Sequence, residues 1–151
     1  KKIDDKNVKF INAFAEKLPF DNNHFDGITV SFGMRNFSNI SKSLSEVFKV
    51  LKDSGTFYCL EFSQINNKIL NSFYQLYSKV IPTYGGILAN DFNSYKYLIK
   101  SIENFPNQVE LSKMMQETGF KRVEVFDIID GLASIHIARV EKSFIKAAIY
   151  I

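Results

Sequence analysis

Hydrophobic positions in the first half of the chain alternate between the period of a strand and that of a helix. Residues 25–31 (FDGITVS) alternate like a strand, and 56–62 (TFYCLEF) is a nearly continuous apolar run, typical of a strand covered on both faces. Ser38 or Asn39 can cap a helix between them, and Gly55 suits a left-handed turn after it. The apolar positions at helical spacing are Ile40, Leu44, Val47, Phe48 and Leu51.

The second half of the chain carries three further helical patterns. Apolar spacing predicts a helix over 69–80 and a shorter one over 94–103. Asn107 and Glu110 form an N-x-x-E capping box for a third helix, which Gly119 ends.

Strand-like segments lie at both ends of the chain. Residues 8–12 (VKFIN) predict a short first strand. Near the other end, 122–129 and 132–138 flank Asp130-Gly131, a strong hairpin signal. Strands that alternate with helices and end in a hairpin predict an α/β fold, with a mostly parallel sheet and one antiparallel strand.

Composition narrows the function classes. The chain has 151 residues, of which 46% are hydrophobic and 23% charged, and its 15 Phe and 7 Tyr indicate a core rich in rings. The single cysteine, Cys59, indicates a reducing compartment rather than a disulfide scaffold. A net charge of +3 without a basic stripe argues against nucleic-acid binding. No apolar run approaches the roughly 20 residues of a membrane span, and the N-terminus has no apolar signal-peptide segment.

Most polar candidates are better explained by structure than by catalysis. His24 lies in an Asn-rich turn and is expected to be a solvated loop residue. His136 alternates with two isoleucines, which favours a hydrogen-bonded structural histidine. We expect no metal site and no Ser-His-Asp or Cys-His catalytic arrangement. The methionines are expected to pack in the core, namely Met34, Met114 and Met115.

The strand ends are the places where chemistry is expected. In open α/β sheets ligands collect at the carboxyl ends of parallel strands, which here are 12–16, 31–36 and 61–63. Arg35 lies in one of these loops, among apolar and aromatic residues. Glu61 ends a buried strand and needs a partner, for which a helix N-terminus or an arginine would serve.

Five runs together resemble one family, the UbiE-type C-methyltransferases of ubiquinone and menaquinone biosynthesis, which depend on S-adenosylmethionine. The resemblance covers roughly residues 8–140, and FGMRN and ANDFNSY are its most specific parts. The five runs are 14–25 (FAEKLPFDNNHF), 30–37 (VSFGMRNF), 58–63 (YCLEFS), 89–98 (ANDFNSYKYL) and 114–120 (MMQETGF).

The resemblance implies roles for individual residues. Phe14 and Ala15 would line the adenine side of the S-adenosylmethionine pocket, and Ser31 would lie at the methionine end of that cofactor. Arg35 would lie at the quinol ring as the catalytic residue, where it could orient a water or the phenolate. The substrate-side lid would contain Asn90, Asp91 and Tyr95.

The resemblance also implies a Rossmann-like fold with sheet order 3-2-1-4-5-7-6. The family's glycine-rich cofactor turn and first two strands have no counterpart here, so 1–140 would be the C-terminal part of a methyltransferase domain and 141–151 a tail of unknown role. We therefore expect 25–138 to form a four-stranded remnant, and residues 1–24 to be poorly anchored.

Two functions remain open from the sequence. The first is C-methylation of a polyprenyl benzoquinol or demethylmenaquinol, impaired in this chain alone and completed by a missing N-terminal half or a biosynthetic complex. The alternative is a non-catalytic quinol-binding or assembly module. Either function is compatible with a cytoplasmic protein, with peripheral contact at the inner membrane, or with an organelle matrix.

Overall fold

The computed structural model describes residues 8–65 and 92–142. The predicted helix over 69–80, together with Asn90 and Asp91, lies outside the described residues. In chain order the elements are β1 (Phe25–Ser31), a 3₁₀ turn (Met34–Asn36), α1 (Ile40–Val50), β2 (Leu51–Phe62), α2 (Phe92–Glu103), α3 (Gln108–Thr118), β3 (Arg122–Ile128) and β4 (Ala133–Arg139).

The described strands form a four-stranded sheet in the order β1-β2-β4-β3. β1 and β2 are parallel, and β4 runs antiparallel to both β2 and β3. This confirms the α/β fold, the four-stranded arrangement and the single antiparallel strand. Because β1 and β2 are parallel neighbours, with Ser31 paired to Leu60, the loops after both strands meet at one edge of the sheet.

α1 begins and ends at residues with clear causes. Asn39 caps its N-terminus by accepting a hydrogen bond from the backbone N of Lys42 at 2.9 Å, as predicted. At the other end Leu51 is already extended, with φ −74° and ψ 137°, and it is the first residue of β2. Helix and strand therefore join without a loop.

The left-handed turn predicted at Gly55 was wrong. The positive φ belongs to Ser54 at 63°, where the backbone bends within β2. Gly55 is needed for a different reason, since a Cβ there would lie 2.8 Å from the carbonyl oxygen of Lys52. This close backbone approach leaves no room for a side chain.

The core lies on one face of the sheet. The prediction that both faces of β2 are covered holds only in part. Phe57, Cys59 and Glu61 are fully buried, whereas on the opposite face Thr56 is buried and Tyr58 is 40% exposed. α1 and α3 pack on the buried face. The buried core cluster contains Met34, Leu44, Val47, Leu51, Phe57, Cys59, Phe105, Leu111, Met115, Phe120, Ala138 and Val140.

The C-terminal half follows its local sequence signals. Asn107 and Glu110 form the predicted capping box, and Gly119 ends α3 with a φ of 123°. The hairpin between β3 and β4 turns through three residues of positive φ, namely Ile129, Asp130 and Gly131. Both predictions are confirmed.

The predicted strand over residues 8–12 was wrong. No described strand lies beside these residues. Because a strand is stable only beside a partner, they form none. The expectation of poor anchoring was also wrong for the residues that follow. The backbone N of Leu18 donates to Glu46 at 3.0 Å, and the backbone N of Asn39 donates to Glu16 at 3.0 Å.

The C-terminus of α1 is a junction between distant parts of the chain. The backbone N of Asn23 donates to the carbonyl of Lys49 at 3.1 Å, and that of His24 to Val50 at 2.7 Å. Lys142, beyond β4, donates to the carbonyl of Leu51 at 2.9 Å and to the side chain of Asn23. The segments before β1 and after β4 therefore meet at one corner of the sheet.

Candidate active site

A buried ion pair lies where β1 and β2 end. Glu61, the second-last residue of β2, has a side chain that is 1% exposed. Its Oε1 atom is 2.7 Å from Nη1 of Arg35, whose side chain is 12% exposed. Arg35 belongs to the 3₁₀ turn after β1, so the parallel pairing of the two strands brings these residues together. The partner that the sequence required for Glu61 is therefore an arginine.

Backbone groups hold this ion pair in a single arrangement. Glu61 also accepts hydrogen bonds from the backbone N of Arg35 at 3.3 Å and of Phe62 at 3.0 Å. Nη1 of Arg35 donates in addition to the carbonyl of Phe32 at 2.6 Å. Among the described residues, Nε of Arg35 is buried without a hydrogen-bond partner. The guanidinium is thus fixed through one nitrogen, Nη1, and its charge is balanced by Glu61.

Phe32 is the site residue that the sequence analysis missed. It follows β1 directly and has a φ of 51°, a left-handed conformation that is an outlier for a bulky side chain. The sequence offered glycine at the next position, yet Gly33 has an ordinary φ of −118°. The Phe32 ring lies 4.7 Å from the Phe62 ring, and the guanidinium carbon of Arg35 is 5.5 Å from the same Phe62 ring.

Two depressions meet at the segment after the 3₁₀ turn, and the second of them contains Arg35. The first has a volume of about 870 Å³ and is lined by Phe14 and Ala15 among others. The second has a volume of about 500 Å³ and is lined by Arg35, Tyr97, Lys100 and the N-terminal end of α1. Phe37 and Ser38 line both, so the segment after the 3₁₀ turn forms a shared wall.

α2 is linked to the same segment. The hydroxyl of Tyr97 donates to Oδ1 of Asn36 at 2.9 Å. Tyr95, predicted on the substrate side, also lies in α2, two residues before Tyr97. α2 thus stands beside the depression that contains Arg35.

The residues expected at the cofactor are distributed over this edge of the sheet. Phe14 is 81% exposed and presents a free aromatic face to the first depression, which fits an adenine ring. Ala15 lines the same depression. Ser31 lies at the end of β1 and does not line either of the two. Phe14 and Ala15 would hold the adenine side of S-adenosylmethionine, and Ser31 its methionine end.

The remaining titratable candidates have structural roles. His136 is buried, and its Nε2 atom is 3.1 Å from the carbonyl of Gln108. Burial lowers the pKa of His136, which fits a neutral structural histidine as predicted. Burial raises the pKa of Cys59 to about 12, so its thiol is not a nucleophile at neutral pH. His24 is an exposed loop residue whose ring stacks on Phe20. Within residues 8–65 and 92–142 no cluster of His, Cys, Asp and Glu could hold a metal ion.

Comparison with known proteins decides the family. The sequence model of the ubiE/COQ5 methyltransferase family matches residues 1–140. The chain belongs to this family. This confirms the resemblance that the motifs at Phe14, Arg35 and Tyr95 carried, since all three lie inside the matched range.

Individual relatives of the ubiE/COQ5 family show how much of a whole protein this chain represents. It is 46% identical over 130 residues to the mitochondrial 2-methoxy-6-polyprenyl-1,4-benzoquinol methylase of Bos taurus, which covers 85% of this chain and 39% of that protein. It is 45% identical over 134 residues to the ubiquinone/menaquinone biosynthesis C-methyltransferase UbiE of Rickettsia prowazekii, covering 88% and 54%. The chain therefore spans between two-fifths and about half the length of these two relatives.

Solved structures agree on the fold. A SAM-dependent methyltransferase from Thermotoga maritima has a TM-score of 0.62 at 17% identity, covering 89% of this chain and 65% of that one. Another from Aquifex aeolicus has a TM-score of 0.58 at 16% identity, covering 89% and 56%. These likenesses confirm the Rossmann-like methyltransferase fold that the family resemblance implied. None of the helices in the described ranges is long and apolar enough to cross a membrane.

Proposed function

We propose that this chain forms the substrate side of a C-methyltransferase that uses S-adenosylmethionine to methylate a ring carbon of a polyprenyl benzoquinol or demethylmenaquinol. The observation that carries the proposal is the buried Arg35–Glu61 pair at the carboxyl ends of two parallel strands, where ligands bind in this class of fold. The names of the relatives, a benzoquinol methylase and a quinone-biosynthesis C-methyltransferase, support the choice of substrate.

The two depressions support separate binding sites for the cofactor and the quinol. The first offers the exposed Phe14 ring beside Ala15, suited to the adenine of the cofactor, and Ser31 would contact its methionine end. The second contains Arg35 and would take the quinol ring. S-adenosylmethionine, when bound, supplies a methyl group activated by a sulfonium. Because the two depressions share Phe37 and Ser38, ligands bound in them would be neighbours. Holding the two reacting atoms close lowers the entropic part of the barrier.

Arg35 has a defined chemical task in this proposal. A ring carbon becomes more nucleophilic when a neighbouring quinol oxygen carries negative charge, and a fixed donor stabilises that charge. An arginine stays protonated in proteins, so Arg35 would orient the quinol oxygen or a water rather than remove a proton itself. The proton of the methylated ring carbon would pass to a water, and the sulfonium would leave as a neutral thioether. Glu61 balances the guanidinium charge, so Arg35 acts as an oriented donor within a neutral pair.

The remaining residues would close the substrate side. We assign Asn90, Asp91 and Tyr95 to a lid over the quinol. Tyr97 fixes α2 to Asn36, which supports a position for this lid beside Arg35. The apolar substrate would be collected at a membrane surface. The chain would lie next to the inner membrane, in a cytoplasm or in an organelle matrix, and the mitochondrial relative supports an organelle.

The test reconstitutes the complete active site. The chain is mixed with a polypeptide that supplies the upstream strands and glycine-rich turn of a relative, and transfer of labelled methyl from S-adenosylmethionine to a short-tailed demethylated benzoquinol is measured. We expect transfer only in the mixture, and weaker than micromolar cofactor binding by the chain alone. Transfer absent from a mixture that binds both ligands would contradict the proposal and favour the non-catalytic quinol-binding module.

Substitutions in the same assay test the role of Arg35. We expect Arg35→Lys to lower kcat by roughly 10²–10³, the usual effect of losing a fixed donor to a developing negative charge. Arg122→Lys is the matched control, because that arginine is 65% exposed and pairs with Glu124 on β3. Equal activity of the two variants would remove Arg35 from the reaction.

A further inference from the structure

The backbone of Phe32 is strained, and the fold does not require a bulky residue at this position. A bulky residue with a φ of 51° is rare, and such outliers gather at binding and catalytic sites. Glycine adopts this backbone without strain and would form the same turn. The backbone N of Phe32 donates a hydrogen bond to the carbonyl of Leu60 at 2.9 Å, and glycine would keep this bond. What glycine would remove is the aromatic ring.

The ring of Phe32 is presented rather than buried. Phe32 is 39% exposed, and its ring is tilted by 41° against that of Phe62, with 4.7 Å between the centroids. Its carbonyl oxygen accepts the hydrogen bond from Nη1 of Arg35. Phe32 thus exposes an aromatic ring and, through its carbonyl oxygen, also fixes Nη1 of Arg35.

We propose that Phe32 is a substrate-binding residue whose ring contacts the planar head group of the quinol beside the Arg35 guanidinium. This inference rests on the proposed function and names a further residue of the same site. The quinol head group is a planar, electron-rich ring. Such a ring is attracted both by the Phe32 ring and by the positive charge of the Arg35 guanidinium. In the sequence Phe32 lies directly after Ser31 and three residues before Arg35. It lines neither of the two depressions, so the head group would extend from the second depression past Arg35 to reach its ring.

The test separates binding from folding with three variants at Phe32 and one control variant of the full chain. The probe is a benzoquinol that carries one isoprenoid unit, kept reduced, and its Kd is measured by calorimetry. We expect Phe32→Gly to raise the Kd about tenfold, the loss of one aromatic contact, with a Tm above that of Phe32→Ala because glycine relieves the left-handed strain. Phe32→Tyr keeps the ring and should keep the Kd. Phe126→Ala, which removes a 53% exposed ring on β3, is the control.

Each outcome has a distinct meaning. A Kd of Phe32→Gly equal to that of the unchanged chain overturns the role of Phe32 and leaves the proposed function standing. A Tm that falls in Phe32→Gly as far as in Phe32→Ala, together with an unchanged Kd, shows that the ring only packs against Phe62. If the unchanged chain binds no quinol, the proposed substrate side is wrong and this inference falls with it.

Discussion

The two ends of the β1–β2 pair carry the same chemistry in opposite surroundings. At the carboxyl end Arg35 and Glu61 form an ion pair with side chains 12% and 1% exposed. At the amino end Lys52 and Asp26 form one of nearly equal length, 2.9 Å against 2.7 Å, with side chains 45% and 87% exposed. Distance alone would rank the two alike. Burial separates them, because a charge removed from water depends on its partner and an exposed charge does not.

The difference indicates which end of the sheet is built for chemistry. The buried carboxylate of Glu61 is surrounded by N–H donors and fixes the guanidinium that would contact a ligand. The exposed carboxylate of Asp26 accepts a hydrogen bond from the side chain of Lys52, which lowers the pKa of Asp26. The first ion pair is a rigid structural unit, and the second is an ordinary surface contact. Four experiments test this contrast.

The largest effect is expected from the buried carboxylate. Glu61→Ala leaves the Arg35 charge buried without its partner, which should cost about 3–5 kcal/mol in the free energy of unfolding measured in urea. The double variant Glu61→Leu with Arg35→Met should recover much of this loss, since neither charge then remains. A Glu61→Ala chain as stable as the original would show that the ion pair is solvated.

The second effect belongs to the amino end and is steric rather than electrostatic. Gly55→Ala would place a Cβ 2.8 Å from the backbone oxygen of Lys52, and we expect a loss of about 1–3 kcal/mol on urea unfolding. Gly27→Ala on β1 is the control, because the nearest atom to its new Cβ is at 3.6 Å. Equal stability of both variants would show that β2 can shift at this bend.

The third effect concerns a buried neutral group on the same face as Glu61. Burial lowers the pKa of His136, so below an ordinary histidine pKa of about 6.5 the unfolded chain binds a proton that the folded chain does not. Stability should therefore fall as the pH is lowered from 7.5 to 5.5, by up to roughly 1.4 kcal/mol per pH unit. Thermal unfolding across this range measures it, and His136→Gln should flatten the dependence. A wild-type Tm independent of pH in this range would contradict the assignment.

The smallest effect is expected from the exposed ion pair. Lys52→Ala should leave the urea midpoint within experimental error, because an exposed pair gains little over hydration. Lys52→Arg provides the conservative comparison. A clear shift in the midpoint for Lys52→Ala, comparable with that for Glu61→Ala, would remove the distinction between the two ends.

Local sequence signals predicted much of the fold and part of the site. The caps at Asn39 and Asn107 and the turn at Asp130-Gly131 act within a few residues, so their sequence is sufficient to place them. The family motif marked Arg35, and the burial expected of Glu61 required a partner of opposite charge. The caps and the turn depend on neighbouring residues alone, whereas Arg35 and Glu61 are 26 positions apart and only the need for a partner was predicted.

Features that depend on backbone far away in the sequence were not predicted correctly. Gly55 was read as a turn residue, yet its need for glycine comes from the close carbonyl of Lys52. The apolar segment at residues 8–12 has strand composition, but no described strand lies beside it to pair with. Phe32 was missed because a left-handed backbone is not expected of a bulky residue, and its backbone is held by the carbonyl of Leu60 in β2. Such positions are set by what the rest of the chain brings close.

The junction at the C-terminus of α1 has a consequence for engineering. Lys142 contacts both Asn23 and the carbonyl of Leu51, so the entry to β1 and the exit from β4 lie at one corner. A short linker could join them, with new ends opened at the exposed tip near Asp130, in a circular permutation that keeps every strand pairing. A polypeptide fused ahead of β1 and another fused behind β4 would begin side by side.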